Sequence, residues 1–111
     1  MPANFKSVDA ATAKKIFDSG AHMVDVRTAA EWAAGHVEGS DRVAVGRISS
    51  HSVGRADSVI TVCKNGSKSK RAAKKLTKEG YRVYHLAGGL EAWHEAGLSL
   101  VSDNGARAQV L

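Results

Sequence analysis

Cys63 is the only cysteine in a chain of 111 residues, which excludes an intramolecular disulfide and any multi-cysteine zinc or iron–sulfur site. The six residues after it, Lys64, Asn65, Gly66, Ser67, Lys68 and Ser69, are of types that suit an anion cradle. Gly66 and the serines permit a tight turn, and the backbone N–H groups of Lys64 to Ser69 can converge on the space above the sulfur. The positive end of a following helix and the ammonium groups of Lys64 and Lys68 favour thiolate over thiol. A thiolate under such donors suits a nucleophile that attacks anionic substrates and then holds a negatively charged covalent product. The competing reading is an inert cysteine filling a strand end, since free cysteine is among the most buried residue types. An inert position, however, needs no Gly and Ser turn, flanking lysines and helix start within six residues.

These residues require elements to hold them. SVITVC (58–63) is β-branched and almost uncharged, the pattern of a strand covered on both faces in a parallel sheet, with Cys63 at its C-terminal end. Ligands of open α/β sheets bind just beyond such strand ends. Residues 64–68 then predict a loop, and Ala72, Ala73 and Leu76 predict the inward face of a helix from Ser69 to Glu79, stopped by Gly80. Upstream, Asp9 can cap a helix over 10–19, MVDVR (23–27) alternates as a strand, and Thr28 with Glu31 forms a capping box for a short helix to Gly35. RVAV (42–45) reads as a short strand, and 46–57 as a loop with one helical turn near 47–53. Downstream, YRVYHL (81–86) is a strand, Gly88 and Gly89 a turn, and LEAWHEAG (90–97) a final helix. Strands alternating with helices at this spacing predict an α/β domain over 1–100 with a mostly parallel sheet, followed by a flexible tail over 101–111.

Composition bounds the remaining classes. Hydrophobic residues make up 43% of the chain but aromatics only 5%, so one modest core must rest on Val, Leu, Ile and Ala. MPANFKSVDAATAKK lacks the parts of a secretory signal and no run approaches membrane-spanning length, which leads to the expectation of a cytoplasmic protein without a membrane partner. The net charge of +5 is concentrated: residues 64–82 hold eight Lys or Arg against Glu79 alone, a local +7, while the rest of the chain is −2. Lys70, Lys74 and Lys78, with Arg71 and Lys75 beside them, read by default as a solvated helix face. Only Tyr81 and Tyr84 accompany these cations, too few stacking groups for a nucleic-acid platform. His22, His36, His51, His85 and His94 have no metal-ligand spacing, so no metal site is expected.

In VDVRTAAEWAAGHVEGS (24–40), ITVCKNGSKSKRAAKKL (60–76) and YRVYHLAGGLEAW (81–93), the chain resembles a single-domain rhodanese over nearly its whole length. The resemblance implies the three-layer fold of that family, with helices on both faces of the sheet. The family's active loop runs Cys, usually Arg, any residue, Gly, any residue, Arg, then Ser or Thr. Cys63, Gly66 and Ser69 match it directly, and Lys64 and Lys68 stand where arginines are usual. The resemblance implies that Cys63 takes a sulfane sulfur from a donor as a persulfide, that the amides of Lys64 to Ser69 stabilise it, and that Lys68 helps bind an anionic donor or acceptor. It implies no cofactor, a small anionic sulfur donor, a thiol acceptor, and a sulfur-accepting or sulfur-donating protein as a partner. Lysine gives a mobile point charge instead of arginine's planar fork, which bears on whether thiosulfate is the preferred donor. Asp25, Arg27, Glu31 and His36 match the family's first motif as bracing residues, with Arg27 also a candidate for the site entrance. Phosphatase and arsenate reductase relatives place an obligatory Arg after five residues; here that position is Ser69. The alternative within the family is a binding, sulfur-carrier or redox-sensing module without efficient turnover.

Overall fold

The structure is a computed structural model that describes residues 4–111. The elements in chain order are β1 (Lys6–Val8), α1 (Ala10–Asp18), β2 (His22–Asp25), α2 (Ala29–Ala34), β3 (Asp41–Arg42), α3 (Ser50–Val53), β4 (Ser58–Val62), α4 (Ser67–Lys78), β5 (Arg82–Leu86) and α5 (Gly89–Glu95), with a 3-10 turn at Val45–Arg47. The sheet is ordered β1-β5-β4-β2-β3, and every neighbouring pair is parallel. The uncharged run of β4 is therefore explained by its central place between β2 and β5.

Strand alternation splits the core into two layers. Met23, Ile60, Val62 and Leu86 pack with Ala10, Ala13, Leu90 and Trp93 from α1 and α5. Val24, Val59, Cys63 and Val83 pack on the opposite face with Ala72, Ala73 and Leu76 of α4 and Val53 of α3. This is the α/β sandwich with helices on both faces that the sequence predicts. The small side chains of Ala72 and Ala73, both fully buried, let α4 approach the face that carries Cys63.

The start signals hold at the residues that carry them. The Asp9 carboxylate accepts from the Thr12 amide at 2.8 Å at the head of α1, and Thr28 and Glu31 exchange both bonds of a capping box on α2. Other boundaries move. The strand expected over 42–45 is reduced to Asp41–Arg42, and α4 begins at Ser67, two residues before the expected Ser69, because Gly66 at φ 99° supplies a left-handed N-cap. β1 is an edge strand that no local sequence signal before Asp9 marks. Residues 101–111, expected to be flexible, fold back onto α2: Val101 and His36 exchange backbone bonds of 2.8 and 2.9 Å, and the Gln109 amide donates to the Ala34 carbonyl at 2.8 Å. Gly35 allows that return, since a Cβ there would collide with the Gln109 backbone.

Candidate active site

β4 delivers Cys63 to the C-terminal edge of the sheet, on the α4 face. Its thiol is free and buried, 2% exposed. The chain then turns through Gly66 into α4, and the amides of Gly66 and Ser69 both donate toward Cys63 Sγ, at 3.1 and 3.3 Å. Sγ also pairs with Ser69 Oγ at 3.3 Å, a hydroxyl that can donate to the sulfur when it is a thiolate. The cradle is narrower than expected: the Ser67 amide is taken by Asn65 Oδ1 at 3.1 Å, and that oxygen also accepts from the Ser67 hydroxyl at 2.9 Å. Asn65 thus shapes the turn. The arrangement can stabilise negative charge on the sulfur.

Cys63 forms part of a pocket of about 150 Å³ whose other walls are Arg27, Glu31, Lys64, Asn65, Ser67 and Lys68. Lys64, Asn65, Ser67 and Lys68 are exposed at its rim, whereas Gly66 and Ser69 lie buried beneath it. The structure therefore brings all seven residues from Cys63 to Ser69 together. A larger concavity of about 440 Å³ beside His94 and Arg107 is lined by no nucleophile of this kind among the described residues.

The far wall is a closed ion-pair network. Arg27 Nη2 donates to Asp25 Oδ2 at 2.7 Å and to the Gly35 carbonyl at 2.6 Å, and its Nε donates to Asp25 Oδ1 at 2.9 Å, with both residues almost fully buried. Arg27 therefore both braces the loop and lines the pocket. The Glu31 carboxyl is held below its ordinary range, mainly by the Thr28 amide, with the Thr28 hydroxyl and the charges of Arg27 and Lys68 adding to it and partial burial opposing. His36 is structural, as expected: its ring stacks on Trp32 at 3.7 Å and its Nδ1–H donates to the Trp32 carbonyl at 2.8 Å.

Two supports of the cradle escaped the sequence reading. His85, on β5, points to the α4 face, where its Nε2–H donates to the Gly66 carbonyl at 2.8 Å and its Nδ1 accepts from Ser7 Oγ at 3.1 Å. Burial holds the His85 imidazole below the usual histidine range, which keeps this one-donor, one-acceptor tautomer. Strand alternation from Val83 marks His85 as facing α4, a signal available in YRVYHL. The second support is the head of α5, where the Leu90 and Glu91 amides donate to the Cys63 and Lys64 carbonyls at 2.8 and 3.0 Å. Gly89 makes that approach possible, because a Cβ there would run into both carbonyls.

Among the described residues, no group of three or more His, Cys, Asp or Glu side chains is placed to hold a metal ion, and no helix is long and apolar enough to cross a membrane. The rhodanese-like domain family model matches residues 9–96. The chain is 36% identical over 78 residues to thiosulfate sulfurtransferase GlpE of Shewanella oneidensis, covering 67% of this chain and 76% of that protein. It is 35% identical over 95 residues to thiosulfate sulfurtransferase GlpE of Pseudomonas fluorescens, covering 82% and 86%. Among solved structures, a rhodanese-related protein from Thermoplasma volcanium superposes with a TM-score of 0.79 over 87% of this chain and 98% of that one, and at 23% identity it speaks to the fold alone.

Proposed function

The chain belongs to the rhodanese-like domain family, and we propose that it is a sulfurtransferase that carries a sulfane sulfur on Cys63. The observation that carries this reading is the pair of Gly66 and Ser69 amides aimed at Sγ on the floor of a pocket rimmed by Lys64 and Lys68.

In the first step the Cys63 thiolate attacks the sulfane sulfur of thiosulfate or of a persulfide. The donor S–S bond breaks, and sulfite, or the donor's thiolate, leaves with the bonding pair. Cys63 now carries a persulfide with one negative charge on its outer sulfur. The Gly66 and Ser69 amides, which point at Sγ, stabilise the attacking thiolate and the thiolate that re-forms when the sulfur leaves, without reorganising. Lys64 and Lys68 hold the anionic donor and its leaving group as point charges, so recognition is electrostatic more than bidentate. In the second step cyanide attacks the outer sulfur and leaves as thiocyanate, the electron pair returning to Cys63 as thiolate. A thiol acceptor is converted in the same way to its persulfide, its proton remaining on the product. With no second cysteine in the chain, the acceptor must come from outside.

Thiocyanate production from thiosulfate and cyanide, and persulfide transfer to a small thiol, test the proposal under multiple-turnover conditions. Turnover by the wild type and none by Cys63→Ser supports it. A single sulfur taken up and never passed on would instead support a sulfur-carrier or sensing module, a reading favoured by the 2% exposure of the thiol.

A further inference from the structure

α4 carries six Lys or Arg side chains and no acid. Its first turn contains Lys68 and Lys70 and no acid, although the positive end of a helix repels cations. Arg71, Lys74, Lys75 and Lys78 continue the series, all exposed. The pairs 70 with 74, 71 with 75 and 74 with 78 are like charges one turn apart, each of which weakens a helix. Among the described residues none of these cations forms a salt bridge, whereas α1 closes Lys14 on Asp18 at 2.7 Å and α5 places Glu91 in its first turn. A face kept only for solubility would mix its signs, as the rest of the chain does.

The same helix opens at the active-site pocket: its first residues, Ser67 and Lys68, form the rim, and the unpaired cations descend from there along one flank. We propose that this flank is the docking surface for a protein that presents a thiol from within an acidic surface to Cys63. The inference rests on the sulfurtransferase reading and names its acceptor class. Charge complementarity selects the partner and places its cysteine over the pocket; its thiolate attacks the outer sulfur of the Cys63 persulfide, the S–S bond breaks, and the electron pair returns to Cys63. A nucleic acid suits the flank less well, because Tyr81 commits its hydroxyl to the Gly54 carbonyl and Tyr84 packs against the core.

The test uses the full chain with its persulfide preloaded and two synthetic peptides, each with one cysteine, flanked on both sides by glutamates in one and glutamines in the other. Transfer rates are compared for wild type and Lys74→Gln/Lys75→Gln/Lys78→Gln, which lies outside the pocket and relieves like-charge repulsion. The glutamate-to-glutamine rate ratio should be about tenfold higher in wild type than in the variant, and that gap should close as salt is raised. A neutral small thiol should discharge both proteins equally. Equal ratios in the two proteins, or a ratio insensitive to salt, would overturn the docking surface while leaving sulfur transfer intact. No discharge of the persulfide by the neutral thiol, by either peptide or by cyanide would overturn the sulfurtransferase reading and the inference with it. Stronger competition by a single-stranded oligonucleotide than by an acidic peptide without cysteine would assign the flank to nucleic acid and overturn the protein partner.

Discussion

The pocket around Cys63 has two sides built on opposite electrostatic plans. On the side of β2 and α2, Asp25 and Arg27 bury a bidentate ion pair whose remaining donors end on the Gly35 and Glu31 carbonyls, and Thr28 and Glu31 close a capping box. On the side of β4 and α4, two amides point at a sulfur and the lysines at the rim form no salt bridge among the described residues, Lys68 acting on the Glu31 carboxyl only through space. Satisfied charges rigidify a wall; unsatisfied ones remain available to a ligand. The pocket therefore has one side that holds its shape and another that can respond to an anion.

The largest expected effect comes from breaking the rigid side. Asp25→Asn leaves the Arg27 guanidinium buried without its counter-charge and should cost about 3–5 kcal/mol, read as a lower urea midpoint. The reciprocal experiment on the responsive side is His85→Phe, which strips the Gly66 carbonyl and Ser7 of their partner. It should cost about 1–3 kcal/mol in stability and slow alkylation of Cys63, with His85→Gln, whose amide can donate from a similar position, recovering part of both. If His85→Phe changed stability but left alkylation untouched, His85 would belong to the core and not to the cradle.

Acid should separate the two sides further. His85 has a folded pKa lowered chiefly by burial, with Lys70 adding to the effect and the Gly66 carbonyl opposing it. Between that lowered value and the ordinary 6.5 the unfolded chain binds a proton that the folded one refuses. Stability should therefore be full above about pH 6.5 and decline as pH falls through that window, and the decline should shrink in His85→Gln. Glu31 and Asp9 have lowered folded pKa values too, so their contribution is present above the ordinary carboxylate range and is lost only at lower pH. A stability curve flat from pH 7 to pH 5 would contradict the assignment of His85. The smallest change is Thr28→Ala, which removes half of the capping box and should cost about 1 kcal/mol without altering sulfur chemistry.

Much of the responsive side is written locally, which is why the sequence made it legible. Cys63, Gly66 and Ser69 are close along the chain, and the loop geometry follows from a strand end, a residue free to adopt positive φ and a helix start. The capping box is likewise a four-residue signal. What the sequence hid depends on distant pairings. β1 is three residues, KSV, two of them polar, and it becomes a strand only because β5 lies beside it, yet it supplies Ser7 to His85. The fold-back of residues 101–111 depends on carbonyls at the end of α2 that no local pattern reveals. The narrowing of the cradle by Asn65 reflects competition within the loop, since the side chain reaches the Ser67 amide before any ligand does.

The central claim is that Cys63 receives and holds sulfur, and intact-mass spectrometry after incubation with thiosulfate or a low-molecular-weight persulfide tests it most directly. Wild type should gain one sulfur, removable by cyanide, and Cys63→Ser should gain none. No gain on the wild type, or an equal gain on Cys63→Ser, would contradict the account.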